Sequence, residues 1–230
     1  MAPAKLVKSD VSTVPKKGSS SITSIFLTLR STDPMLQHAM TDAARDNLPG
    51  GSKTIDKPNE DKMTPRERAD LVRYRGPNGE LGVPAKCLFS SFREAGKKVK
   101  IGAMEKITNA KQSQLPGFIR FKCEGGSMRG FLPFKDQRPE SWEVDIDTTR
   151  NPTTGGRTCT IRPLFPTWEI ELELEYNPAL GIGISKFREL VDIAGAAYGL
   201  GANRLNNQYG RFEVMKWETK EKKAVVSQAA

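Results

Sequence analysis

The chain of 230 residues contains one histidine and three cysteines. Both scarcities narrow its chemistry. Cys87, Cys123 and Cys159 are odd in number and widely separated, and no C-x-x-C pair occurs. That spacing points away from a disulfide framework and from a zinc site. The expectation is of small buried hydrophobes in a reducing, cytoplasmic compartment. No apolar run approaches the roughly 18 residues that a membrane helix needs, so no membrane partner is expected. The N-terminal MAPAKLVKSDVSTVPKKGSSS carries lysines without the apolar core of a secretory signal. A Walker loop, a G-x-S-x-G elbow and an H-E-x-x-H pair are all missing, and no cofactor is implied. Acid is also in short supply. Lys and Arg number 36 against 27 Asp and Glu, a formal net charge of +9. An excess of that size favours a polyanionic partner, nucleic acid before an anionic membrane.

What is present alternates between strand-like and helix-like patterns. SITSIFLTLR (21–30) is rich in β-branched and apolar residues and predicts the first strand. The stretch from about Asp42 to Met63 is polar, with Gly, Pro and Lys, and predicts a long surface loop. TPRERADLVRY then carries a helix-start signature, with Thr64 as N-cap, Pro65 next and Glu67 three residues on. Pro84 opens a second helix whose Ala85, Leu88, Phe89, Phe92 and Ala95 share one face. GFIRFKCE and SWEVDID read as strands, as do GRTCTIRPLF and TWEIELELEY. The last sets Trp168, Ile170, Leu172 and Leu174 against Glu169, Glu171, Glu173 and Glu175, a half-buried strand. SKFRELVDIAGAAYG gives a helical stripe, and GRFEVMKW a final strand.

Taken without a region from about 101 to 154, this order is β-α-β-β-α-β. The expected fold class is α+β, a ferredoxin-like (RRM-like) core with an inserted β-hairpin region. Residues 1–20 read as a disordered basic arm, 21–218 as a single domain with insertions at about 42–63 and 101–154, and 219–230 as a charged tail. Such a sheet carries its helices on one face. In RRM proteins the free face and its loops meet single-stranded RNA.

GLGANRLNNQYGRFEV (199–214) links the last helix to the last strand. Gly199 and Gly201 can take φ > 0 and let backbone approach a ligand, with amides donating to phosphate oxygens. Arg204 and Arg211 add charge and forked donors, and Asn203 adds a polar side chain for sugars or base edges. A helix C-cap followed by a turn is the plainer account of the same glycines. The G-x-G start, the short run with an arginine and the G-x-F exit into a strand resemble the glycine-rich loop of the RAMP superfamily. Those are the RNA-binding backbone and processing proteins of CRISPR effector complexes. IFLTLRSTDPMLQHAM is similar to their strand-then-loop opening, and the pattern also looks like small proteins of tailed bacteriophages. The resemblance implies a binder of single-stranded RNA, or of single-stranded DNA, that forms a homo-oligomer along the strand.

Other basic stretches extend the candidate surface. Arg150, Arg157 and Arg162 lie on a glycine-bearing hairpin without acid at its tip, suited to backbone contact. Arg73, Tyr74 and Arg75 place a ring between two cations, suited to stacking on a base. Lys97, Lys98 and Lys100 end a helix, where they complement its dipole and widen a phosphate-binding surface. His38 sits where the resemblance implies a general acid or base in RAMP-type processing enzymes. A metal-independent endoribonuclease using His38 and a phage structural or assembly protein are therefore the competing classes, with no metal site expected in any of them.

Overall fold

The computed structural model describes residues 22–50, 62–103, 105–126, 129–150, 155–178 and 181–221. The expected basic arm and most of the charged tail lie outside the described residues. In chain order the first elements are β1 (Thr23–Ser31), β2 (Met35–Leu36), α1 (Asp42–Asp46), α2 (Pro65–Leu71), β3 (Gly82–Pro84), α3 (Ala85–Gly96) and α4 (Leu115–Phe118). There follow β4 (Ile119–Lys122), β5 (Phe131–Pro133), β6 (Glu143–Arg150), β7 (Arg157–Phe165), β8 (Glu169–Tyr176), α5 (Ile184–Ile193), α6 (Arg204–Asn207) and β9 (Phe212–Glu221). The architecture is α+β with antiparallel sheets. Among the described residues no helix is long and apolar enough to cross a membrane.

The main sheet has four strands in the order β4-β8-β1-β9. Its register follows from alternation: Ile25, Leu27 and Leu29 of β1 face Leu174, Leu172 and Ile170 of β8 across the ladder, and all six are buried. A slip of one residue would turn every one of them to the other face. On this apolar face lie α3 and α5. Phe92 of α3 stands 6.0 Å from both Phe121 of β4 and Phe187 of α5, and Phe187 stands 5.7 Å from Trp217 of β9. These edge-to-face and tilted pairs lock both helices to the sheet. The helix at Pro65 starts as the sequence predicts, with Thr64 and Glu67 closing a capping box.

A second sheet runs β2-β7-β6, with α2 packed on it, and β3 pairs with β5. The sequence pattern predicts Gly156–Phe165 in the core sheet and Ile119–Lys122 within an insertion; the structure exchanges them. β7 pairs with β6 and β2, while β4 fills the main-sheet position beside β8. The Pro166–Thr167 turn explains the exchange. It does not fold β8 back on β7, because Trp168 is held by Ser31 at the end of β1 in both directions. Ser31 N donates to Trp168 O at 2.9 Å and Trp168 N to Ser31 Oγ at 3.0 Å. The chain therefore crosses from one sheet to the other there. The cysteines are not buried hydrophobes either. Cys87 and Cys123 are half-buried and Cys159 is exposed, all as free thiols.

Candidate nucleic-acid interface

After α5 the helix widens into a π-helical turn, Ala194–Tyr198, capped by Gly199 at φ 60°. The glycine loop that follows is packed, not open. A Cβ on Gly201 would stand 2.2 Å from the Leu36 carbonyl oxygen, and one on Gly210 1.9 Å from that of Leu200. Both residues also have positive φ, so only glycine fits. Four of the loop amides are spent inside the protein. Gly199 N donates to Ala194 O at 2.8 Å, Leu200 N to Gly210 O at 2.8 Å, Ala202 N to Leu36 O at 2.7 Å and Gly210 N to Pro34 O at 2.7 Å. The expectation that the Gly199 amide meets phosphate is thus corrected: it caps the π turn. Asn203, at φ 55°, precedes α6 and is exposed.

The same bonds reveal what the loop is packed against. Residues 31–39, between β1 and α1, form a rail that the loop grips on one side. Thr32 N donates to Arg211 O at 2.9 Å, which adds to the bonds of Pro34 and Leu36. On the other side Gln37 N donates to Pro163 O of β7 at 3.1 Å and Ala39 N to Val72 O at 2.7 Å. Gln37 is fully buried; its amide donates to Gly82 O at 2.9 Å and accepts from Tyr74 N at 2.9 Å. The rail thus brings residues separated by more than a hundred positions into one neighbourhood: Arg204 and Arg211 of the loop, Tyr74, and Arg162 of β7. Tyr74 meets Cys87 at the start of α3. Burial pushes both groups above their ordinary values, and the nearby Arg204 charge opposes it.

Four arginines share an uncommon feature. Arg73 Nη1, Arg162 Nε, Arg204 Nη1 and Arg211 Nε are buried side-chain nitrogens without an acceptor. Buried donors in folded proteins are paired in the great majority. Every arginine so placed among the described residues was one the sequence singled out. They differ in what else holds them. Arg162 Nη2 lies 3.4 Å from Asp145 and 3.3 Å from Asp147, so its charge is largely compensated. Arg73 Nε pairs with Asp70 at 2.6 Å, and Asp70 also takes Arg75. Arg73 and Arg75 do not flank the Tyr74 ring as free cations. His38 lies at the surface beside Arg162. Partial burial lowers its pKa from the ordinary value, and the Arg162 charge lowers it further.

The remaining candidates lie apart. Arg150 and Arg157 face each other at the far end of the β6–β7 hairpin, about 17 Å along the strand from Arg162. The tip between them, 151–154, lies outside the described residues. Lys97 pairs with Glu94 at 2.6 Å, and Lys98 and Lys100 are exposed just beyond α3. That end is about 15 Å along the helix axis from Cys87, away from the rail. The sheet face turned away from the helices carries Glu169, Glu171, Glu173 and Glu175 in line along β8. Lys122 pairs with Glu173 and Glu175, and Lys135 with Glu169 and Glu171. Phe26, on this face, lies under the Lys220 ammonium at 4.8 Å. An anionic strand finds no RRM-like platform there. Among the described residues no group of three or more His, Cys, Asp or Glu is placed to hold a metal ion.

One arrangement escaped the sequence reading. The Arg66 guanidinium stacks 3.9 Å from the centre of the Trp142 ring and donates to the carbonyls of Trp142 at 3.2 Å and Pro139 at 2.6 Å. The two residues are 76 positions apart, and the helix-start signature around Arg66 says nothing of Trp142.

No protein-family model matches the sequence, and no curated protein matches it. The fold is similar to that of a chain in the cryo-EM structure of the Type III-B Cmr-beta bound to cognate target RNA, with 12% identity and a TM-score of 0.54. The match covers 87% of this chain and 61% of that one, so this chain spans less than two thirds of its neighbour's length. A match to the crystal structure of Cmr6 from Pyrococcus furiosus has a TM-score of 0.42 and 11% identity, over 84% of this chain and 99% of that one.

Proposed function

We propose that this chain is a RAMP-type, single-stranded RNA-binding protein, with residues 21–218 forming one domain on a ferredoxin-like βαββαβ core. Two observations support that core: the strand order β4-β8-β1-β9, and two helices on one face, α3 between β1 and β4 in the chain and α5 between β8 and β9. The strand runs over the rail and the glycine loop rather than over the acidic sheet face. The observation that carries this reading is the set of buried arginine nitrogens without acceptors around the rail. Leaving such a donor unpaired costs about 1–3 kcal/mol, and a strand that draws the side chain outward removes that cost by giving the donor a phosphate oxygen. Arg204 and Arg211 are the principal phosphate contacts. Arg150 and Arg157 extend the contact along the hairpin, and Lys97, Lys98 and Lys100 add a more distant basic patch. The net charge of +9 and the RNA of the Type III-B Cmr-beta complex point the same way. Copies arranged along one strand in the cytoplasm are the assembly this reading expects.

Binding, not cleavage, is the role assigned to the site. A metal-independent ribonuclease at His38 needs a free cation beside the scissile phosphate. The cation at hand, Arg162, is engaged by two aspartates. The test is to purify the protein, extract the nucleic acid bound to it and digest it in turn with RNase and DNase. RNase-sensitive material is expected. Absence of any bound nucleic acid, together with no binding of added strands, would overturn the reading. Scission of added RNA that disappears in His38→Ala would replace it with the nuclease.

A further inference from the structure

Between α2 and the segment entering β6 lies a cavity of about 380 Å³. Its wall includes Arg66, Asp70, Arg73, Leu81, Gln137 and Trp142. Ligand sites of this size are mostly apolar, with a few convergent polar groups that fix orientation. Arg66 is the unusual member. One face of its guanidinium lies on Trp142, and two of its five in-plane N–H donors go to backbone carbonyls. Trp142 is only 5% exposed, whereas Arg66 is exposed. The fork is therefore held flat before any ligand arrives, and its partners are neutral carbonyls. Such a plane is a stacking surface for another delocalised ring. The Arg73 side chain also lines the cavity, with its guanidinium carbon 5.9 Å from the centre of the same Trp142 ring; it is 10% exposed, with Nε on Asp70 and Nη1 without an acceptor. Gln137 is fixed in the wall, donating to the Leu81 and Phe134 carbonyls and accepting from Leu81 N.

We propose that this cavity takes one nucleobase, stacked on the exposed face of Arg66, which Trp142 backs, with its polar edge toward the Arg73 guanidinium. The proposal rests on the reading of the chain as an RNA-binding protein when the base belongs to a bound strand. A free mononucleotide supplies the same chemistry. A base gains from stacking and from one charge-assisted hydrogen bond, whereas an isolated phosphate gains from neither the plane nor its apolar surround.

The experiment uses the full chain, its Arg66→Lys variant and three probes: an adenosine RNA oligomer, an abasic ribose-phosphate oligomer of equal length, and free AMP. Arg66→Lys keeps the charge and removes the plane. The protein is expected to prefer the base-bearing strand over the abasic one. Arg66→Lys is expected to weaken the base-bearing strand about tenfold, within the range measured for stacking of one base, and to leave the abasic strand unchanged. An equal loss on both strands would make Arg66 a phosphate contact and overturn the proposal, as would no loss on either. Binding of AMP but of no strand, lost in Arg66→Lys, would keep the cavity as a mononucleotide site and overturn the strand reading instead. Binding of none of the three would overturn both. If circular dichroism shows Arg66→Lys unfolded, Arg73→Lys replaces it. That variant keeps the ion pair to Asp70, loses the forked donor and is expected to cost the base-bearing strand alone several-fold.

Discussion

At the scale of the residue, the glycine loop separates two roles that its sequence combines. The glycines serve packing. Gly201→Val places a β-branched side chain at φ +82° with its Cβ 2.2 Å from the Leu36 oxygen. Strain of that kind costs at least about 2 kcal/mol, and the melting temperature should fall by about 4 °C or more. Arg204→Ala and Arg211→Ala remove a buried unpaired donor, so they should not lower the melting temperature, and should weaken RNA about tenfold each. Melting and affinity measured on the same three variants decide the matter. Normal affinity in both arginine variants would reduce the loop to a helix terminus. His38 gives a second residue-scale test. Its folded pKa lies below the ordinary value of 6.5, so the native state binds fewer protons than the unfolded one near that pH. The stability held by neutral His38 is complete above the ordinary value and is lost as pH falls through it. Between about pH 7.5 and pH 5.5 the parent should lose more melting temperature than His38→Gln. Equal losses would show that His38 titrates as it does in the unfolded chain. The sequence made these residues visible as types, because glycine, arginine and a lone histidine stand out. It left their partners hidden, since Leu36, Pro34 and Asp145 carry no sign of whom they meet.

At the scale of the element, charge on β8 decides which surface is used. Four aligned glutamates make the exposed side of the main sheet a poor road for phosphates, even with Lys122 and Lys135 paired to them. Phe26→Ala and Glu171→Gln should therefore each leave RNA affinity within about twofold. If Phe26 stacked on a base, its loss would cost about 1–3 kcal/mol, roughly tenfold or more. Local pattern made β1, α3, β8, α5 and β9 legible, because alternation and helical stripes are properties of a single segment. It gave no guide to pairing. β4 and β7 both alternate, and only the crossing at Ser31 and Trp168 assigns one to each sheet. The stack of Arg66 on Trp142 is hidden for the same reason, as a contact between α2 and the segment entering β6. The cap at Thr64 was readable because its two partners lie three residues apart.

At the scale of the whole molecule, the excess of cations over acids has to be placed before it means anything. The acidic sheet face leaves the candidate cations elsewhere: Arg204 and Arg211 beside the rail, Arg150 and Arg157 on the hairpin, and Lys98 and Lys100 beyond α3. The fold keeps this arrangement through a core that joins α3, α5 and the main sheet by Phe92, Phe121, Phe187 and Trp217. Composition alone pointed to a polyanion, but not to the face it would use. The central claim is that this chain holds a single RNA strand by its phosphates. The most direct measurement is the affinity of the full chain for a single-stranded RNA oligomer across a series of salt concentrations. If about five phosphates are neutralised, log affinity should fall against log salt with a slope of roughly −3 to −4. An affinity that stays flat from low to physiological salt, or no binding at low salt, would contradict the account.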